Sequence, residues 1–292
     1  MTSSWMLVAG ALFATMGVFA KLLGNQFSGA ELSLYRSLIG LAAIGAFVIW
    51  KRQSLATSFR SGHLWRGLTG TISLIAYFYA MTKLPLATAI TLNYTSPLWL
   101  TLLSTLLLGE RFRLRLVLAI VVGFVGAALL LRPTFAGDNA HAGLIGLASG
   151  FFAACAYINV KKLGDAGEPE WRVVFYFALA GTIGSALMQG LVAREFHPLN
   201  GGNVTLLLCL GVAATLAQLA MTRAYHSGNT LVVGAFAYST VIFASLAGIF
   251  IFDEVLPPVS WIGMAIIIAS GLMAKSASKP DDRKPALPAE ED

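Results

Sequence analysis

Ala80-Met81-Thr82-Lys83 and Ala220-Met221-Thr222-Arg223 are two versions of one stretch, 140 residues apart. Working outward at the same offset, Gly10, Ala14, Lys21, Leu23 and Gly24 fall on Gly150, Ala154, Lys161, Leu163 and Gly164. Residues 10–82 thus overlie residues 150–222. Further along the offset becomes 144, where Tyr94, Leu106 and Glu110 fall on Tyr238, Phe250 and Glu254. Self-similarity over half a chain marks a duplicated unit. Each copy holds five apolar stretches, and five is odd, so the second copy enters a bilayer upside down relative to the first. The expected fold is an all-α membrane protein of ten transmembrane helices, built as two inverted five-helix repeats, the plan of alternating-access carriers.

Composition agrees with that plan. Of 292 residues, 57% are hydrophobic and only 12% charged, with a mean hydropathy of +0.74. That is too apolar for a soluble globule. Ten stretches approach the length a helix needs to cross about 30 Å of hydrocarbon. They cover residues 5–23, 32–50, 65–82, 87–108, 114–131, 143–160, 173–191, 204–224, 231–252 and 259–274. The first lacks a basic segment before its apolar run and matches the sixth through the repeat, so it is expected to be a retained span and not a cleaved signal. The expected organisation is a first repeat over 1–137, a second, inverted repeat over 138–275, and a disordered cytoplasmic tail over 276–292, which is charged and contains proline.

The net charge of +6 follows topology. Fifteen of the 20 Lys and Arg residues, Arg66 among them, fall on segments at one side of the bilayer. Lys21, Lys83, Arg132 and Arg194 fall on the other, and Arg36 lies within a span. The positive-inside rule then puts both termini in the cytoplasm. No basic patch interleaved with aromatics suggests nucleic acid. Cys155 and Cys209 both lie in spans, with no disulfide framework or metal spacing, and read as small packing residues.

Polar groups inside spans point to a solute path, because hydrocarbon tolerates them only when paired or facing a cavity. Asn93-Tyr94-Thr95-Ser96-Pro97 is the densest cluster. Pro97 cannot donate to the Asn93 carbonyl and is expected to kink the fourth span there. Asn93, Ser96 and Pro97 share one helical face, which either lines a pathway or bonds a neighbouring helix. Through the repeat, Tyr94-Thr95-Ser96 corresponds to Tyr238-Ser239-Thr240, and an in-plane pseudo-twofold would bring the two clusters together near the midplane. Tyr77, Tyr157 and Gln218 on other spans serve either such a cavity or packing.

Arg36 is the outlying charge, five residues after Glu31. A cation there can bind a substrate carboxylate, pair with Glu31, or snorkel to headgroups. None of the 14 acidic residues lies mid-span and the four histidines lie at span edges or in loops. No nucleophile–base pair, metal cluster or cofactor motif is present, so an enzyme is not expected. Glu31 is the weak candidate for proton coupling. Gly146 with Gly150, and Gly10 with Ala14, make small-xxx-small pairs that either pack helices or let the halves rock.

These features resemble the drug/metabolite transporter superfamily, specifically the EamA-type ten-helix permeases. The resemblance rests on the run from Ala80 through Lys83, Leu84, Pro85 and Leu86 to Ala89, on Tyr94-Thr95-Ser96-Pro97-Leu98, and on Leu107-Leu108-Gly109-Glu110-Arg111. A weaker echo ends at Phe252-Asp253-Glu254, with Val241 where such repeats often carry proline. The resemblance implies inner-membrane metabolite transport, often export, through a cavity between the halves. Arg36 beside hydroxyl, amide and tyrosyl groups suits a small polar solute bearing a carboxylate, such as an amino acid or its derivative. Uptake of a similar or nucleotide-like metabolite is the alternative, and a receptor or scaffold without transport the alternative of another class. The expected partners are that small molecule and the lipid bilayer, with the chain a monomer or homodimer.

Overall fold

A chain surrounded by hydrocarbon must satisfy its backbone N–H and C=O groups internally, and a helix does so residue by residue. The computed structural model describes residues 4–108, 114–135, 139–193, 196–227, 233 and 236–277, and every regular element among them is helical. In chain order these are α1 (Trp5–Leu23), α2 (Gly29–Trp50), α3 (Arg60–Lys83), α4 (Leu86–Asn93), α5 (Ser96–Leu108) and α6 (Leu114–Phe135). There follow α7 (Ala140–Asp165), α8 (Glu170–Met188, continued by a π turn over Gln189–Ala193), α9 (Gly201–Ser227), α10 (Ser239–Phe252) and α11 (Pro258–Ala277). Among the described residues, the helices over Trp5–Leu23, Gly29–Trp50, Ala140–Asp165, Glu170–Val192 and Gly201–His226 are long and apolar enough to cross a membrane. Val121–Leu130, Ser239–Phe252 and Pro258–Ser270 are shorter apolar stretches. Ile49, Trp50, Leu191 and Phe250 point large apolar side chains outward, as lipid-facing surfaces do. Expectations for Glu110, Arg194, the boundary at 137–138, residues 278–292, and 231, 232, 234 and 235 of the ninth stretch lie outside the described residues.

The fourth stretch departs from expectation. In place of one helix kinked at Pro97, α4 stops at Asn93 and α5 starts at Ser96. The Tyr94 N–H still reaches the Ile90 carbonyl at 2.9 Å, whereas the Thr95 hydroxyl takes the Leu92 carbonyl at 2.7 Å and the Thr95 carbonyl opens α5 by accepting from Leu98 at 2.9 Å. Pro97 becomes the second residue of a new helix, where a missing N–H costs nothing. A proline therefore starts a helix here and does not bend one. At the other end of α4, the Glu254 carboxylate accepts the free Leu86 N–H at 2.8 and 3.0 Å and pairs with Lys21 at 2.8 Å. This anion at a helix N-terminus pins α4 from both sides of the chain.

The principal helix contacts run between the first and second halves: α1 on α9, α2 on α8, α3 on α7 and α6 on α11. α10 also lies on α1 and α4, and α7 lies on α4 and α5. Neither half buries a core alone; their shared interior does so. Two glycines allow the closest approach. A Cβ on Gly150 would stand 2.8 Å from the Leu92 carbonyl oxygen and 3.0 Å from that of Asn93, so α7 presses its backbone against the break between α4 and α5. A Cβ on Gly10 would meet the Ser239 and Thr240 hydroxyls at 2.7 and 2.9 Å, where α1 meets the start of α10.

Candidate functional site

The shared interior holds a partly open cavity of about 60 Å³. One face of α3 supplies Arg66, Gly70, Ser73, Leu74 and Tyr77, spaced by three or four residues as a helical stripe. The break after α4 turns Asn93 and Tyr94 into the cavity, α2 contributes Arg36, and α1 contributes Phe13 and Met16. From the second half come Ala153, Ala156 and Tyr157 on α7, Phe177 on α8, and Gln218 and Met221 on α9.

The wall is cationic and aromatic. Arg36 is 5% exposed; its Nη2 donates to Gln218 Oε1 at 3.3 Å, and its Nε has no hydrogen-bond partner among the described residues. Arg66 is 2% exposed, and its Nε is likewise unpartnered. Both guanidiniums rest on the Phe177 ring, with carbons 5.1 and 3.8 Å from its centroid, a cation–π arrangement. Tyr157 stacks on Tyr225 at 5.1 Å, and the Tyr77 hydroxyl is unpartnered. Asn93 Nδ2 donates to Ser149 Oγ at 2.9 Å, while Ser73 donates to the Ser149 carbonyl at 2.8 Å, so α3, α4 and α7 are tied at the wall. Among the described residues, no Asp or Glu lines the cavity.

Of the residues expected from the sequence, Arg36, Tyr77, Asn93, Tyr94, Tyr157 and Gln218 come together here. Ser96 and Pro97 do not: they begin α5, and the helix break has turned them off the Asn93 face. Tyr238 and Ser239 also lie outside the lining, because α10 starts against Gly10 of α1. Glu31 is buried at the N-terminus of α2, away from the cavity. It forms a capping box with Ser28, and its carboxylate meets the His197 N–H at 2.8 Å and His197 Nδ1 at 2.7 Å. Arg36 therefore neither pairs with Glu31 nor snorkels.

Arg66 and Phe177 were not expected at the site. A hydropathy window starting at Trp65 makes Arg66 a flanking charge, yet α3 begins at Arg60 and carries it a turn and a half inward. Gly70 was the available signal. One turn after Arg66, its missing side chain leaves room for the guanidinium, since a Cβ there would run into Arg66 Nη1.

At the end of the bundle where the α2–α3 and α7–α8 connections meet, Glu168 is a second bound carboxylate. Burial pushes its pKa up, but hydrogen bonds from Thr57 at 2.5 Å, Arg172 at 3.0 Å and His63 at 3.2 Å outweigh burial and hold the carboxyl below its ordinary range. Burial lowers the His63 imidazole pKa below its ordinary value despite that neighbour.

The model of the EamA-like transporter family matches this chain twice, over residues 1–132 and 142–274. The chain belongs to this family. A riboflavin transporter of Vibrio cholerae is 32% identical over 272 residues, covering 91% of this chain and 90% of that protein. The pseudopaline exporter CntI of Pseudomonas aeruginosa is 29% identical over 276 residues, covering 93% of this chain and 94% of its own. A solved crystal structure with 21% sequence identity superposes with a TM-score of 0.68, covering 94% of this chain and 96% of that one, and shares the fold. EamA-like proteins are multi-pass membrane transporters, and this chain, with its apolar helices, is one of them. The two named relatives are named for different cargoes, so family membership alone does not name a cargo.

Proposed function

We propose that this chain is a secondary transporter of the inner membrane, exporting small polar amino-acid-like or amino-acid-derived metabolites by alternating access. Counting α4 and α5 as one broken crossing gives ten spans in two inverted halves, with both termini cytoplasmic. The helix contacts support this reading, since they map onto themselves when the halves are exchanged. The pair α1 and α9 becomes α7 and α3, while α2 with α8 and α6 with α11 are each their own counterpart. Gly10 and Gly150, equivalent through the repeat, each face a helix start in the opposite half. A cavity on the axis between two such halves is where a rocking carrier holds its solute.

Arg36 carries the solute reading. Among the described residues this buried cation has no carboxylate on its wall, bonds a neutral amide and has no partner at Nε, so it is complementary to a solute carboxylate. Tyr77, Tyr94, Asn93 and Gln218 add the hydroxyl and amide groups that orient a polar metabolite. Glu31 is tied to His197 and Ser28, which favours exchange or facilitated export over proton coupling.

The test is counterflow in proteoliposomes with amino acids and their conjugates, with and without a pH gradient. Carboxylate-bearing solutes are expected to exchange, with little response to the gradient. Arg36→Gln is expected to lower flux at least about tenfold, the loss of a charge-assisted hydrogen bond. Solutes that bind without crossing would make the chain a receptor, and strong acceleration by a gradient would return the coupling role to Glu31.

A further inference from the structure

Resting on the transport reading above, we infer that this cavity takes solutes with two anionic groups, dicarboxylates being the class that fits. Arg36 and Arg66 are a pair of buried cations, and among the described residues no carboxylate is paired with either. Two cations held in a low-dielectric interior repel each other, and each pays for lost hydration, unless anions are supplied. Because the wall supplies none, the bound solute does. Both guanidiniums lie on the one Phe177 ring, so they are neighbours that a single bound solute can meet together. A monoanion neutralises one and leaves the other bare.

The geometry favours carboxylates in particular. A guanidinium presents a planar fork that matches a carboxylate with two parallel hydrogen bonds. Two guanidiniums, 5.1 and 3.8 Å from one ring centroid, present two forks, one for each of two anionic groups. Gly70 is the enabling residue for Arg66, since any side chain there would displace its guanidinium. Phe177 and Tyr157 supply apolar faces for the carbon skeleton that joins the two carboxylates.

Competition against labelled glutamate counterflow in proteoliposomes of the full chain tests this, using glutarate, leucine and glycerol 3-phosphate as unlabelled solutes. Glutarate is expected to compete at least about tenfold better than leucine. In Arg66→Gln that ratio should collapse to within about threefold, and Arg66→Lys should recover part of it. Gln218→Glu is the isosteric complement, because it sets a carboxylate against Arg36 from within the protein. It should raise the melting temperature of the solute-free protein by pairing Arg36, and shift preference toward leucine, a readout that a merely structural Arg66 would not predict. Equal competition by leucine and glutarate in the wild type, with flux intact, overturns this inference and leaves the transport reading standing. Strongest competition by glycerol 3-phosphate overturns the dicarboxylate assignment in favour of a compact dianion. Wild-type protein that moves no anionic solute overturns the transport reading, and this inference with it.

Discussion

Gly10 and Gly150 occupy equivalent points of the two halves, as do Arg36 and Tyr176, and Arg66 and Leu206. The first pair does one job twice: each glycine lets a helix close on the start of a helix from the other half. The other two pairs have diverged. The first half brings two guanidiniums to the cavity, whereas Tyr176 turns away to donate to the Leu55 carbonyl at 2.7 Å. In the second half, Phe177, Tyr157 and Gln218 provide an uncharged wall opposite. Equivalent glycines pack alike in the two halves, and the cavity's two guanidiniums stand where the halves differ.

The sharpest way to break this contrast is to remove the polar group from each side of the pair. Arg36→Gln should cost at least about tenfold in solute flux. Tyr176→Phe should leave flux intact and cost stability by about 1 kcal/mol, the net worth of one hydrogen bond, read from thermal unfolding in detergent. Comparable flux losses in both would mean that the halves share the binding work.

The glycines test the symmetric part. Gly150→Ala pushes a methyl group into two backbone carbonyls, which cannot rotate away, and should cost about 1–3 kcal/mol. Gly10→Ala meets two hydroxyls that can turn aside and the Thr240 backbone nitrogen only at 3.3 Å, and should cost less, about 1 kcal/mol. Melting temperatures in the reverse order would contradict the packing described.

Acid should act on the end of the bundle that holds Glu168 and His63. Both groups sit below their ordinary pKa, so their stabilisation is complete above the unfolded-state values and is lost as pH falls through the folded ones. His63→Gln should remove the contribution that begins near the ordinary histidine range and leave the carboxylate part, seen in melting temperature against pH. The smallest effect is expected for Val241→Pro. Its N–H reaches only the Tyr238 carbonyl in the first turn of α10, so it should lose about 1 kcal/mol or less. That residue differs between the repeats without requiring different backbones.

Much of the frame was legible because hydrocarbon imposes a simple rule on length and polarity. The first span is Trp5–Leu23 by hydropathy and by structure alike. Elsewhere the helices overrun the apolar windows at polar ends: Ser28 and Glu31 cap α2, and Arg60 to Trp65 extend α3. That overrun hid Arg66, since a charge beside a window looks like a flank until the helix is known to have started earlier. Proline showed where the fourth stretch changes direction, but not whether it bends or breaks. The Thr95 hydroxyl bond and the pressure of α7 at Gly150 decide that, and both need the tertiary fold. The expected meeting of Tyr94-Thr95-Ser96 with Tyr238-Ser239-Thr240 outlasts the break in part, since α10 lies on α4 and Tyr94 meets Thr240, while Ser96, Pro97, Tyr238 and Ser239 stay off the cavity lining.

The central claim, that the electropositive cavity between the halves is the solute path, is tested most directly by thiol accessibility. With Cys155 and Cys209 replaced by Ala, Ser73→Cys places a single thiol on the cavity wall. Small anionic and cationic thiosulfonates are then applied from either side of oriented membrane vesicles. The account predicts labelling from both sides, faster with the anionic reagent because of Arg36 and Arg66, and slowed by a transported solute. Labelling from neither side, or faster labelling by the cation, would contradict it.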